Sequence, residues 1–229
     1  MATLPPTATT VFDSILFRDA FGTPRMREIF SDYALISRYV DVEIALARAQ
    51  ARCGVIPAEA AIQIAAESNV VTLDFDLLRR ETEIVGYPIL PLVHQLVKQC
   101  GDAGRYIHWG ATTQDIMDTA IVLQVSQGLT IIEEEINELR RILAKLARKY
   151  RDTPMAGRTH LQQALPITFG YKVAIWLAIF DRHAERLEQL KPRVLVGEFA
   201  GAAGTLASLG EKGLEVQKTF CEELGLGVA

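Results

Sequence analysis

LTIIEEEINELRRILAKLARKY, residues 129–150, decides the fold class. Its apolar positions Leu129, Ile132, Ile136, Leu139, Leu143, Leu146 and Tyr150 advance by alternating steps of three and four. That period keeps them on one face of a long helix, in the manner of a heptad seam. The polar face carries Glu133, Glu134 and Glu135 early and Lys145, Arg148 and Lys149 late, an order that suits the helix dipole. A second stripe of the same period follows: Phe169, Val173, Trp176, Phe180, His183, Leu187 and Leu190. Pro166 stands where that helix would begin and Pro192 where it would end. Two such rods, joined by residues 152–165, must cover their stripes, and antiparallel packing in a bundle is the simple solution. The stripes do not say whether the covering partners lie in this chain or in other subunits.

Upstream the chain reads as shorter helices. Residues 25–52 form one or two of them, with Met26, Ile29 and Phe30 and then Val42, Leu46 and Ala49 at helical spacing. Gly54 is a natural stop, Pro57 starts another helix, and Asp74 to Arg80 reads as a further short one. Gly86-Tyr87-Pro88 breaks the chain, and Pro91 suits the first turn of a helix through Cys100. Residues 101–110 are a second break. Residues 197–210 are rich in Gly and Ala, and a last helix runs to about Leu224. No strand pattern of convincing length occurs, so the expected class is all-α. The expected division is a flexible tail at 1–11, a helical N-terminal domain at 12–110 and part of a central helical bundle at 111–229.

Composition narrows the function. Of 229 residues, 49% are apolar and 23% charged, which is globular rather than disordered. A net charge of −4 with no Lys/Arg block argues against a nucleic-acid surface, although a few local donors can still hold a small anion. Cys53, Cys100 and Cys221 are far apart and odd in number; with no CxxC or Cys/His cluster they read as reduced thiols of a cytoplasmic protein. The Pro/Thr-rich start lacks the pattern of a signal peptide and reads as a loose tail. No apolar run approaches the ~18 residues of a membrane span, and nothing signals a metal or a cofactor.

Three segments are too polar or too Gly-rich for their surroundings. In the first, IHWGATTQDIMDTA at 107–120, Thr112 or Thr113 can cap the first long helix. The free N–H groups there can hold an anion, or serve an ordinary cap with acids in its first turn. In the second, AGRTHLQQALPIT at 156–168, His160 can act as a general acid or base, with Thr159 and Gln162 donating to a carboxylate. The alternative is a solvent-facing histidine in a helix–helix loop. The third, GEFAGAAGTL at 197–206, is no dinucleotide fingerprint, since no strand precedes it. It reads as a small-residue loop that lets backbone approach closely.

HWGATTQDIMDTA followed by GRTHLQQALPITFG resembles the first two conserved regions of the fumarase/aspartase superfamily. FAGAAGTLASLG, PRMREIFSD near the N-terminus and GYPILPLVHQL at 86–96 resemble its 3-carboxy-cis,cis-muconate cycloisomerase branch. The resemblance covers nearly the whole chain from about residue 12. It implies a small helical domain before a long-helix bundle, a homotetramer with active sites shared between subunits, and a small polycarboxylate as substrate. The implied chemistry is β-elimination or its reverse next to a carboxylate, through an aci-carboxylate stabilised by aimed donors. In the cycloisomerase branch the substrate's own carboxylate is the leaving group, so the forward reaction closes a lactone. Carried over, His108 contacts substrate, and Thr112 and Thr113 bind a carboxylate, with Gln114 beside them. Thr159 and Gln162 bind substrate. His160 matches a general acid or a base-assisting residue. Asp115 supports the turn, and His183, on the stripe, packs.

Two departures matter. Muconate cycloisomerases of bacteria tend to carry Trp where this chain has His160, and His there looks more like adenylosuccinate, argininosuccinate or fumarate chemistry. The superfamily's third region, a GSSxMPxKxNP-like loop with the serine base, has no counterpart in these residues, so the chain by itself is expected not to turn over substrate. Three readings stand: a lactone-forming cycloisomerase, a C–N or C–O lyase releasing fumarate, and a non-catalytic helical oligomerisation module.

Overall fold

The computed structural model describes residues 10–229; the tail reading of 1–11 falls almost wholly outside them. The chain is helical, as its patterning requires. In order come α1 (Arg18–Phe21), α2 (Pro24–Ile29), α3 (Asp32–Arg52), α4 (Ala58–Glu67), a 3₁₀ segment at Val70–Thr72, α5 (Phe75–Val85) and α6 (Ile89–Gln99). A 3₁₀ segment at Gly101–Tyr106 leads to α7 (Thr113–Lys149), a hairpin of β1 (Pro154–Thr159) and β2 (Gln162–Thr168), and α8 (Phe169–Val194). β3 (Val196–Gly197), a 3₁₀ segment at Ala207–Lys212, α9 (Gly213–Glu223) and β4 (Gly227–Val228) complete it. Among the described residues no helix is long and apolar enough to cross a membrane.

The chain forms two compact units. One takes the chain through Ser126 together with Leu195–Ala229; the other is Gln127–Val194. The division departs from a boundary near residue 110. The first turns of α7 belong with the N-terminal helices, and residues 195–229 return to them instead of extending a bundle.

In the first unit α3 is the central element. Ser31 caps it by accepting from Ala34 N at 3.2 Å, and Ile36, Tyr39, Val40, Val42, Leu46 and Ala49 are buried around its circumference. A helix apolar on so many sides must be surrounded, and α4 and α9 pack on it. Phe220 of α9 and Phe199 are wholly buried with ring centroids 5.5 Å apart. Burial of each such ring stabilises the unit by roughly 2–3 kcal/mol. Cys53, Cys100 and Cys221 are free and buried in this unit. The returning strand β4 pairs in parallel with β3, Val196 opposite Gly227.

In the second unit the end of α7 and the start of α8 meet at a tight corner. Gly170 N donates to Tyr150 O at 2.8 Å and Phe169 N to Thr153 O at 2.8 Å. A Cβ on Gly170 would lie 2.6 Å from Ala147 O, so only glycine allows this approach. Lys191 reaches Glu133 at 2.6 Å and Arg140 reaches Asp181 at 2.7 Å, which sets the two helices side by side and antiparallel. Their apolar residues stay only partly covered. Val173, Ile131 and Leu143 are buried, but Ile132, Leu139, Ile175 and Trp176 remain exposed.

Several expectations need correction. The link 152–165 is an antiparallel hairpin, not a loop. Pro166 lies within β2, and α8 starts at Phe169, where Thr168 Oγ1 accepts from Tyr171 N at 3.1 Å. Pro192 sits inside the last turn of α8 instead of ending it. His183, read as packing, is exposed in this chain, with Arg186 3.3 Å from its Nδ1.

Candidate active site

The first segment is built by α3 from below and by the 197–206 loop from the side. His108 has a left-handed backbone, φ 60°, which costs a non-glycine residue about 1–2 kcal/mol. Two buried polar side chains of α3, seven residues apart on one face, hold that turn. Glu43, only 2% exposed, accepts from His108 N at 3.1 Å and lies 2.6 Å from His108 Nδ1. Gln50 donates to Trp109 O at 2.6 Å, while its own Oε1 is buried with no partner. The clamp fixes the imidazole in position and in tautomer: with an ionised Glu43, Nδ1 carries the proton. Burial works to lower the His108 pKa, but the hydrogen bond and charge of Glu43, helped by Asp115, outweigh it and leave the value above the usual imidazole range.

Asp115 joins this turn to the third segment. It is wholly buried and accepts from Thr112 N at 2.9 Å, Ala200 N at 3.0 Å and Gly201 N at 3.0 Å. The bond to Thr112 N is the return half of a capping box, with Thr112 at the cap of α7. Gly201 needs its φ of 74° here, and a Cβ on it would stand 3.1 Å from Gly110 O. The structural reading of Asp115 and the close-approach reading of the Gly-rich loop both agree with this geometry. Thr112 and Thr113 are half-buried at the helix start, and Gln114 is exposed, its amide donating to Asp118 at 2.6 Å. Burial, then the hydrogen bond and charge of Asp118 and the charge of Asp115, push the Glu198 carboxyl above the usual carboxylate range.

The second segment lies in the other compact unit. Thr159 and Gln162 are partners across the end of the hairpin, and His160-Leu161 forms its two-residue turn with φ of 48° and 61°. Positive φ at both central residues is the type I′ pattern, normally supplied by Asn-Gly. Thr159, His160 and Gln162 are exposed in this chain and Leu161 fully so. Strain of this kind clusters at functional sites. Thus His108, Thr112, Thr113 and Gln114 come together in one unit, and Thr159, His160 and Gln162 in the other. Glu43, Gln50 and Glu198 were not anticipated from the sequence. The signal for the first two was an acid and an amide seven apart on the otherwise apolar Tyr39–Leu46 face of α3. Among the described residues no group of three His, Cys, Asp or Glu side chains converges as a metal site.

A helical chain with these ordered segments defines a class, and comparison with known proteins agrees: the chain belongs to the Lyase family, which matches residues 19–229. It is similar to a solved fumarate lyase from Mesorhizobium sp. BNC1, with 62% identity and a TM-score of 0.85 over 89% of this chain and 48% of that one. It is also similar to the beta-carboxy-cis,cis-muconate cycloisomerase structure from Acinetobacter calcoaceticus sp. ADP1, at 42% identity and a TM-score of 0.91 over 93% of this chain and 51% of that one. Trans-aconitate decarboxylase 1 of Mycosarcoma maydis is 47% identical over 92% of this chain and 43% of its own length. Adenylosuccinate lyases and N-acetyl-S-(2-succino)cysteine lyases are relatives of similar identity, so the family does not fix one reaction. The chain spans about half the length of the relatives it matches.

Proposed function

We propose that the chain provides two of the substrate-binding segments of an enzyme that makes or breaks a bond β to a carboxylate on a small polycarboxylate. The first reading is lactonisation of a 3-carboxy-cis,cis-muconate-like substrate. The observation that carries the general reading is the anchored turn at 108–115. There a fixed imidazole and the start of a long helix stand together, an arrangement suited to an anionic group. Trans-aconitate, carboxymuconate and the succinyl adducts named for the relatives are all polycarboxylates, which supports the same class.

In the lactonising direction a substrate carboxylate oxygen forms a C–O bond to one alkene carbon. The π electrons move toward the carbon next to the second carboxylate, and that carbon takes a proton. Charge builds on the second carboxylate as the aci form, where His108 and the hydroxyls of Thr112 and Thr113 would be donors. Thr159 and Gln162 of another subunit would hold the rest of the substrate, and in a fumarate-releasing reaction His160 there would exchange the proton. Assembly into a homotetramer would cover the exposed apolar residues Ile132, Leu139, Ile175 and Trp176.

A second reading, elimination of an amine, thiol or alcohol to release fumarate, is favoured by one feature, the histidine at 160. The gene product containing residues 1–229 separates the two. Loss of conjugated-diene absorbance from 3-carboxy-cis,cis-muconate supports the first. Appearance of fumarate from adenylosuccinate or N-acetyl-S-(2-succino)cysteine supports the second. Neither signal, from a folded protein, leaves the oligomerisation role.

A further inference from the structure

We propose that Glu43 is the positioning residue of His108, holding a proton on Nδ1 so that Nε2–H is presented as a charged donor to a substrate carboxylate. This deepens the function proposed above and rests on its reading of the 108–115 turn. It gives His108 a binding role, distinct from the proton transfer that His160 would carry in a fumarate-releasing reaction.

Opposite an ionised Glu43 the geometry puts a proton on Nδ1. Glu43 Oε1 lies 2.6 Å from Nδ1, and Oε2 of the same carboxylate takes His108 N at 3.1 Å. A buried carboxylate spends both oxygens on one residue, so the ring cannot turn over without stranding a charge. Nε2 has no protein partner among the described residues and is not a buried orphan, so it is the nitrogen left to meet a ligand. The charged groups that bear on the ring are Glu43 from α3 and Asp115 from α7, and both are acidic. An imidazole between two carboxylates keeps its proton and is a poor base for a carbon acid. As a cation in a half-buried turn it is a strong donor to a carboxylate, because an ionised donor and acceptor bond about twice as strongly as a neutral pair. The left-handed backbone of His108 is consistent with a residue held for its side chain rather than for its place in the chain.

The test uses the 229-residue chain, ¹⁵N-labelled at histidine, and the Glu43→Gln variant. The substituted amide keeps the size but has a single acceptor oxygen, so it can take the Nδ1 hydrogen bond only by giving up the one from His108 N, and it supplies no charge. In the wild type, His108 is expected to show a persistent Nδ1–H resonance and a titration midpoint above the ordinary imidazole value of about 6.5. In the variant the midpoint falls. Tricarballylate, used as the carboxylate probe, should shift the His108 Nε2 resonance. Its Kd should rise about tenfold in Glu43→Gln, the loss of one charge-assisted contact of about 1.4 kcal/mol. A purely structural role for Glu43 would change melting but not the pH dependence of Kd. If His108 titrates at or below the ordinary value in the wild type, or if Glu43→Gln leaves its midpoint unmoved, the inference is overturned and the proposed function stands. If the midpoints behave as expected but tricarballylate perturbs none of His108, Thr112 and Thr113, the binding role fails together with the site reading beneath it.

Discussion

Thr119 and Glu198 satisfy each other twice: Thr119 Oγ1 donates to Glu198 O at 3.0 Å and accepts from Glu198 N at 2.9 Å. One buried hydroxyl thereby closes both backbone groups of a residue that has no helix or sheet to close them. Thr119→Val keeps the volume and strands a buried N–H and C=O, and is expected to lower unfolding free energy by about 2 kcal/mol. Thr119→Ser should retain most of the stability. Urea denaturation of both variants reads this directly, and equal losses would sink the account.

Asp115 carries a heavier duty, since three backbone N–H groups from two segments end on its carboxylate. Asp115→Ala leaves all three without a partner in a buried place. The expected loss is at least about 3 kcal/mol, with faster hydrogen exchange at Ala200 and Gly201 than at Phe220. Exchange that stays slow at those two amides would show that another group holds the loop.

The His108–Glu43 pair gives stability a definite pH dependence. The folded-state pKa of His108 is raised, so the contribution is fully present below the unfolded imidazole value of about 6.5. It is lost as pH rises through the raised value. His108→Asn is the useful comparison, because Asn tolerates the left-handed backbone. The gap in urea midpoint between wild type and this variant should be widest near pH 6 and narrow on going to alkaline pH. A gap that widens with pH would reverse the sign and refute the pairing.

The hairpin tip makes a prediction of the opposite direction. Leu161 is fully exposed with φ 61°, so its side chain gains nothing from burial in this chain while its backbone is strained. Leu161→Gly is expected to leave the melting temperature unchanged or raise it, by up to about 1 kcal/mol of relieved strain. A clear drop in melting temperature would mean the tip is packed in solution.

His160→Trp distinguishes the two reactions proposed for the enzyme. Turnover of 3-carboxy-cis,cis-muconate should survive it with little change. Release of fumarate should fall about 100-fold or more, the usual worth of a positioned proton donor. Steady-state kcat for both substrates is the measurement, and a mild effect on fumarate release would remove His160 from proton transfer.

The long helices were legible because a three-four alternation sustained from Leu129 to Tyr150 has only one regular solution. The hairpin was not. PMAGRT and QQALPIT show no clean alternation, and His160-Leu161 replaces the Asn-Gly that would announce a type I′ turn. The polar turn at 107–115 was recognisable from its composition, and the supporting role of Asp115 from the family resemblance. The identity of its holder was hidden, because Glu43 is separated from His108 by 65 positions and local pattern carries no information about that pairing. The return of residues 195–229 was invisible for the same reason. Gly197-Glu198-Phe199 reads as the start of a small-residue loop until Phe199 is seen against Phe220.

That return has a consequence for biogenesis. Because α9 packs on α3, the face of α3 that α9 covers stays open until the whole excursion through α7, the hairpin and α8 has left the ribosome. Contacts of such long sequence separation slow folding and prolong the life of sticky nascent states. A ribosome stalled before residue 195 would carry the N-terminal helices with that apolar face open.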